Sequence, residues 1–130
     1  MTIFSKIIKG EIPAYKIAEN EMFFAILDIF PLQKGHVLIV PKIEVDKVFD
    51  LPQNYLAEML VFAKPIAKAI EASFSCNRVS MVTVGLEVPH AHLHLVPIHE
   101  AADINFSNQK LQLTKEEFLA IQSTITNKLA

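Results

Sequence analysis

Three of the five histidines in this 130-residue chain stand at alternate positions in Pro89-His90-Ala91-His92-Leu93-His94-Leu95-Val96-Pro97. Alternation is the period of a β-strand, so His90, His92 and His94 would share one face at roughly 6.6 Å spacing. Leu93 and Leu95 would then press the opposite face into a core. Near neutral pH an imidazole can attack as a nucleophile, carry a proton or donate a hydrogen bond. Alternating histidines can also chelate zinc or copper, and His36 would be a further ligand in principle. Packing alone gives no reason for three imidazoles on one small surface. A second chemical candidate is Asp28, which interrupts the apolar run Met22–Ile29, where an unpaired carboxylate is costly; a turn start is its bland reading. Cys76, the only cysteine, reads as a small hydrophobe. His99 reads as loop surface.

The elements that must position these groups follow from local pattern. Ser5–Lys9 reads as a helical turn stopped by Gly10, with Phe4, Ile7 and Ile8 on its apolar side. Tyr15–Ala18 and Met22–Ile29 read as a hairpin, and His36–Val40 as a third strand closed by Pro41. In Asp50-Leu51-Pro52-Gln53, Asp50 can cap a helix, Pro52 fits its first turn and Gln53 can close a capping box. That helix would bury Leu56, Met59, Leu60, Ala63, Ala67 and Ile70, and Pro65 should kink it. Arg78–Val84 is a fourth strand and the histidine run a fifth. His99–Gln109 is polar and irregular. Thr114-Lys115-Glu116-Glu117 is a capping box opening a last helix to about Lys128. Five strands at hairpin-length connections with one long helix among them predict an α+β domain with a mainly antiparallel sheet.

Length and composition agree with one domain over 1–130, in which 101–130 is a C-terminal extension. The chain is 52% hydrophobic and 20% charged, which argues against disorder and leaves apolar surface for a subunit interface. A net charge of −2 provides no overall basic field for nucleic acid. One cysteine excludes an internal disulfide and a cysteine zinc cluster. The N-terminal residues lack a secretory apolar core, and no apolar run reaches the roughly 18 residues that span a bilayer. A cytoplasmic protein without a membrane partner is the expectation.

His90-Ala91-His92-Leu93-His94-Leu95-Val96 resembles the signature of the histidine triad (HIT) family, in which histidines alternate with apolar residues. The resemblance extends to Ile3–Pro13, to Phe24–Ile29, to Gly35–Lys42 and to Gly85–Pro89, in the family's order. It implies a HIT-like fold of about five strands with a long central helix and a C-terminal helix. It also implies attack on the α-phosphate of a purine nucleotide derivative, without a cofactor, through a nucleotidyl-histidine intermediate. A phosphoramidate, an acyl adenylate or a dinucleoside polyphosphate would qualify as substrate, with a lean toward phosphoramidase chemistry. By position His92 is the nucleophile, His94 and His36 contact phosphate, and His90 supports. Asp28 matches the ribose-binding carboxylate, and Phe4, Ile7, Ile26 and Ile29 match the residues around the base. Gly85 and Glu87 lie where the family holds phosphate. The resemblance further implies a homodimer.

Departures accompany the matches. Leu86 follows Gly85 where relatives commonly have glutamine, and Glu87 stands where a hydroxyl often donates; an ionised carboxylate cannot donate. Thr2 and Ser5 occupy positions where many relatives carry zinc-binding cysteines, so a zinc of that kind is not expected. Two alternatives stay open: a purine nucleotide-binding module with little turnover, and a histidine-ligated metalloenzyme. The segment beyond Asp103 carries no motif, and the expectation is that it narrows the substrate range.

Overall fold

A computed structural model describes residues 1–129. It contains helix α1 (Ile3–Ile8), strands β1 (Lys16–Glu19), β2 (Phe23–Leu27) and β3 (Val37–Pro41), helix α2 (Gln53–Ser73), strands β4 (Arg78–Val82) and β5 (Leu93–Ile98), and helix α3 (Lys115–Asn127). Short 3-10 turns lie at Val48–Asp50 and Ala101–Ile104. The strands form one antiparallel sheet in the order β1-β2-β3-β5-β4.

The sheet is covered on both faces, which explains why β2 and β3 are continuous apolar runs and do not alternate. Phe23, Ala25, Leu27, Val37, Ile39, Leu93 and Leu95 pack with Met59, Ala63, Ile66 and Ile70 of α2 and with Ile121 and Ile125 of α3. On the other face Phe24, Ile26, Leu38 and Val40 meet Phe4 of α1. The register places Ile26 opposite Leu38, Leu38 opposite His94 and His94 opposite Val82. His94 therefore lies on the α1 face, above the smaller cluster, while Leu93 and Leu95 enter the main core as their spacing predicts.

Several expectations need correction. The fifth strand begins at Leu93, so of the three alternating histidines only His94 belongs to it. His90, Ala91 and His92 cannot extend the ladder because their neighbours are committed elsewhere. The Ala91 amide donates to the Val45 carbonyl at 2.7 Å, and the Pro41 carbonyl receives the His90 ring at 2.8 Å. Asp28 and His36 lie just outside the strands to which the sequence assigned them, joined by a hydrogen bond from the Asp28 amide to the His36 carbonyl (3.0 Å).

Helix α2 has Pro52 itself as N-cap, with no side-chain cap; Asp50 ends the preceding 3-10 turn, and the predicted capping box does not form. The buried stripe of α2 is Met59, Ala63, Ile66, Ala69 and Ile70, leaving Leu60 half exposed. The helix runs through Pro65 without interruption. Both other caps follow the sequence. Gly10 has φ +79° just past α1, and Thr114 and Glu117 exchange the reciprocal bonds of a capping box on α3. Among the described residues no helix is long and apolar enough to cross a membrane.

Candidate active site

Four histidines, His36, His90, His92 and His94, are buried in this sheet face and its rim. Their hydrogen bonds fix which ring nitrogen carries each proton. A carbonyl oxygen can only accept, so the 2.8 Å contact between His90 Nε2 and the Pro41 carbonyl places a proton on Nε2. Burial holds the His90 pKa below the usual value, so the ring is neutral and its Nδ1 is an acceptor. The Thr2 hydroxyl meets that nitrogen at 2.7 Å.

The next histidine is held by the backbone of the first. His92 Nδ1 lies 2.7 Å from the His90 carbonyl and must donate to it. The neutral ring then has its lone pair on Nε2. The Thr83 hydroxyl donates to the His92 carbonyl at 2.9 Å, and Phe4 packs edge-on against the ring at 5.0 Å. The His92 ring is thus held by the His90 carbonyl and by Phe4, and among the described residues its Nε2 has no hydrogen-bond partner.

A second chain of bonds runs through the other pair. The Leu32 amide donates to His36 Nδ1 at 3.0 Å, so a neutral His36 carries its proton on Nε2. That nitrogen lies 2.9 Å from His94 Nδ1, which accepts, leaving Nε2–H as the free donor of His94. Both rings are neutral at pH 7. Burial, with the neighbouring histidines adding to it, lowers His36 to about 3 and His94 to about 4. The rings of His92 and His94 are 5.0 Å apart. A lone pair and a proton donor therefore stand side by side, an arrangement suited to attack on a centre whose oxygens gain charge.

Asp28 fulfils the turn-starting reading. Its Oδ1 accepts the Phe30 amide at 2.8 Å, while Oδ2 lies 3.4 Å from His36 Nε2. Burial raises its pKa, against the Phe30 amide. Asp28, His36 and His94 have one donor atom each within 4.8 Å of the others. The two imidazole nitrogens in that trio face each other across a shared proton, however, and do not converge on a common point. The set Thr2, Ser5, Glu44 and His90 does not fit zinc either. Two of its members are hydroxyls, which stay protonated at neutral pH and are poor zinc ligands.

The remaining predicted positions divide. Phe4 and Ile26 are buried in the small cluster with Ile7 at its edge. Ile29 is 52% exposed and stands outside that cluster. Gly85 turns the chain at φ +73°, and Glu87 is exposed, close enough to Asp28 to oppose its ionisation. Sequence reasoning missed Phe106, whose ring sits edge-on to His94 at 4.8 Å and to His36 at 6.4 Å. Lys110 Nζ donates to the Phe106 carbonyl, and the Leu111 amide donates to Pro31 (2.9 Å), tying this polar segment to the site. The one signal was an aromatic residue in an otherwise polar run.

Paired histidines on the small-cluster face of a five-stranded antiparallel sheet, one with a free lone pair, define a histidine-triad protein. The chain belongs to the HIT domain family, whose model matches residues 9–101. It is 40% identical over 96 residues to adenosine 5'-monophosphoramidase HNT1 of Saccharomyces cerevisiae, covering 73% of this chain and 61% of that protein. It is 32% identical over 129 residues to adenosine 5'-monophosphoramidase hnt1 of Schizosaccharomyces pombe, covering 98% of this chain and 97% of that one. The crystal structure of a Hit-like protein involved in cell-cycle regulation from Bartonella henselae superimposes with a TM-score of 0.84 at 26% identity, covering 98% of this chain and 95% of the other.

Proposed function

We propose that the protein is a nucleotide phosphoramidase that acts at the α-phosphate of a purine nucleoside monophosphate derivative. The observation that carries this reading is the 2.7 Å bond from His92 Nδ1 to the His90 carbonyl, which leaves the Nε2 lone pair free. Two relatives named as adenosine 5'-monophosphoramidases support the substrate class.

In the reaction His92 Nε2 attacks the α-phosphorus, and the bond from phosphorus to the leaving nitrogen breaks with its electron pair. The leaving nitrogen takes a proton from solvent and departs as a neutral amine, and the water that attacks in the second step returns a proton to solvent. Water then attacks the nucleotidyl-His92 intermediate; the P–Nε2 bond breaks, the imidazole regains its lone pair and the monophosphate is released with a proton. Dividing one displacement into two easier ones is the gain from a covalent step. His94 Nε2–H donates to a phosphate oxygen, and His36 holds His94 in the tautomer that can do so. His90 supports the nucleophile. Asp28 Oδ2 accepts ribose hydroxyls, because Oδ1 is already committed to Phe30. Phe4, Ile7, Ile26 and Ile29 flank the base. Gly85 contributes backbone beside the phosphate, and the acidic side chain of Glu87 disfavours a polyphosphate leaving group there.

The unit of function is a homodimer. Strand β4 ends the sheet, and Met81 on it and Leu60 and Val61 on α2 are more than half exposed, which supports pairing across that edge. Residues 1–130 act as one domain in the cytoplasm, with α3 docked on α2 and β1.

Incubation with adenosine 5'-phosphoramidate tests the reading. The wild type is expected to release adenosine monophosphate and ammonia, and His92→Ala to bind the nucleotide with a loss of at least about a thousandfold in kcat. Nucleotide binding by the wild type with no release of ammonia would favour the binding-module reading, to which exposed Glu87 beside the site lends support.

A further inference from the structure

The His90 ring is held at both nitrogens, and the second of those bonds leads out of the triad to residues with no role in the chemistry above. Thr2 Oγ1 lies 2.7 Å from His90 Nδ1, a contact 88 residues long in sequence. The same oxygen accepts the Ser5 amide (3.1 Å), as N-cap of α1, and lies 3.2 Å from Ser5 Oγ. Ser5 Oγ in turn donates to Glu44 Oε1 at 2.5 Å, and the Thr2 amide donates to the same carboxylate oxygen at 2.9 Å. The Ser5 and Thr2 bonds, in that order, hold the Glu44 carboxyl below its usual range, so it accepts from both as an anion.

Proton bookkeeping along this cluster gives it a direction. The Ser5 proton points to Glu44, so Ser5 Oγ has no proton for Thr2. The Thr2 hydroxyl has one proton and two neighbours, and the shorter of them is His90 Nδ1. Thr2 therefore donates to His90, whose Nε2–H then donates to Pro41. The ring is locked in one tautomer and one orientation, and the His90 carbonyl is the acceptor for His92 Nδ1. Supporting hydrogen bonds of this kind fix the tautomer and aim of a reactive imidazole.

We propose that Thr2, Ser5 and Glu44 form a metal-free clasp that positions the nucleophile His92 through His90. Thr2 is its main positioning residue, and Ser5 and Glu44 orient the Thr2 hydroxyl. Thr2 and Ser5, at the positions where the resemblance places cysteines in many relatives, are hydroxyls bonded to each other and to Glu44, and they tie α1 to the triad without an ion. The proposal rests on His92 being the nucleophile, and its test therefore includes a readout that does not depend on turnover.

The experiment compares Thr2→Val, which is nearly isosteric and lacks the hydroxyl, with Thr2→Ser, which keeps it. In Thr2→Val, kcat on adenosine 5'-phosphoramidate is expected to fall about tenfold to a hundredfold with KM within twofold of wild type. Thr2→Ser is expected to recover most of the rate. Ring-nitrogen NMR on the wild type should show His90 as a single Nε2–H tautomer and His92 as a single Nδ1–H tautomer. In Thr2→Val both should lose that purity while the melting transition stays cooperative. Wild-type protein dialysed against zinc and then buffer should retain no stoichiometric metal at this cluster. Unchanged tautomers and unchanged kcat in a folded Thr2→Val would overturn the proposal, as would equal losses in Thr2→Ser or one zinc retained per chain on Thr2, Ser5, Glu44 and His90. An inactive wild type with the stated tautomers and their loss in Thr2→Val would count against the phosphoramidase reading and leave the clasp standing.

Discussion

At the scale of single residues, the imidazoles share a small volume because burial keeps His36, His90 and His94 neutral at pH 7 and gives each of their protons a defined place. His36 lies at about 3 and His94 at about 4 because burial penalises their charged forms. Since these folded values lie below the unfolded value of about 6.5, the unfolded chain binds more protons between the two limits. The stability they contribute is complete above pH 6.5 and is lost as pH falls toward 4 and then 3. Asp28 acts in the opposite sense, since its raised folded value makes the native state bind protons more tightly above pH 3.8. Two buried histidines outweigh one carboxyl, so Tm should fall as pH drops from 7 to 4. Melting curves of the wild type and His36→Asn/His94→Asn check this, and the double variant should show the shallower pH slope. The triad was legible because three alternating imidazoles are rare and directly readable as spacing. Thr2 and Phe106 were not, since their meaning lies in contacts with His90, 88 positions on, and with His94, reached only when the C-terminal segment folds back.

At the scale of elements, the caps and the strands were legible wherever one local signal decided the outcome. Gly10 and the Thr114–Glu117 box are such cases. The start of α2 was not, because Pro52 and the preceding 3-10 turn displaced Asp50 from the cap, and the buried stripe through Met59, Ala63, Ile66 and Ile70 leaves Leu60 half exposed. The histidine run was read as strand throughout, yet the first two histidines leave the ladder. That departure is what allows the His90 ring to reach the Pro41 carbonyl.

Gly35, next to His36, shows how closely the elements are fitted. Its φ is +96°, and a Cβ there would lie 2.8 Å from two ring atoms of Phe74 at the end of α2. Gly35→Ala combines left-handed strain with overpacking and is expected to cost about 1–3 kcal/mol. Denaturant melts would measure that loss. A stability within about 0.5 kcal/mol of wild type would show that the close approach of this turn to α2 is unimportant.

At the scale of the whole molecule, the sheet separates two tasks. One face meets α2 and α3 and carries the main core; the other meets α1 and presents the histidines. Strand β4 is left as an edge with Met81 58% exposed. Met81→Arg should convert the proposed dimer to monomer by sedimentation while leaving the helical circular dichroism unchanged; a wild type that sediments as a monomer would remove the basis for that interface. The edge strands β1 and β4 carry Lys16, Glu19, Arg78 and Ser80 where β2 and β3 are wholly apolar, but such a pattern marks an edge and does not say what pairs with it, and so assembly was an expectation from the resemblance. The free lone pair of His92 is the point on which the proposed chemistry turns. The most direct measurement mixes enzyme with adenosine 5'-phosphoramidate, quenches within milliseconds and weighs the intact protein and its peptides. The predicted result is one adenylyl group on the peptide containing His92, absent from His92→Ala. Turnover by the wild type with no such adduct at any quench time, and undiminished turnover by His92→Ala, would contradict it.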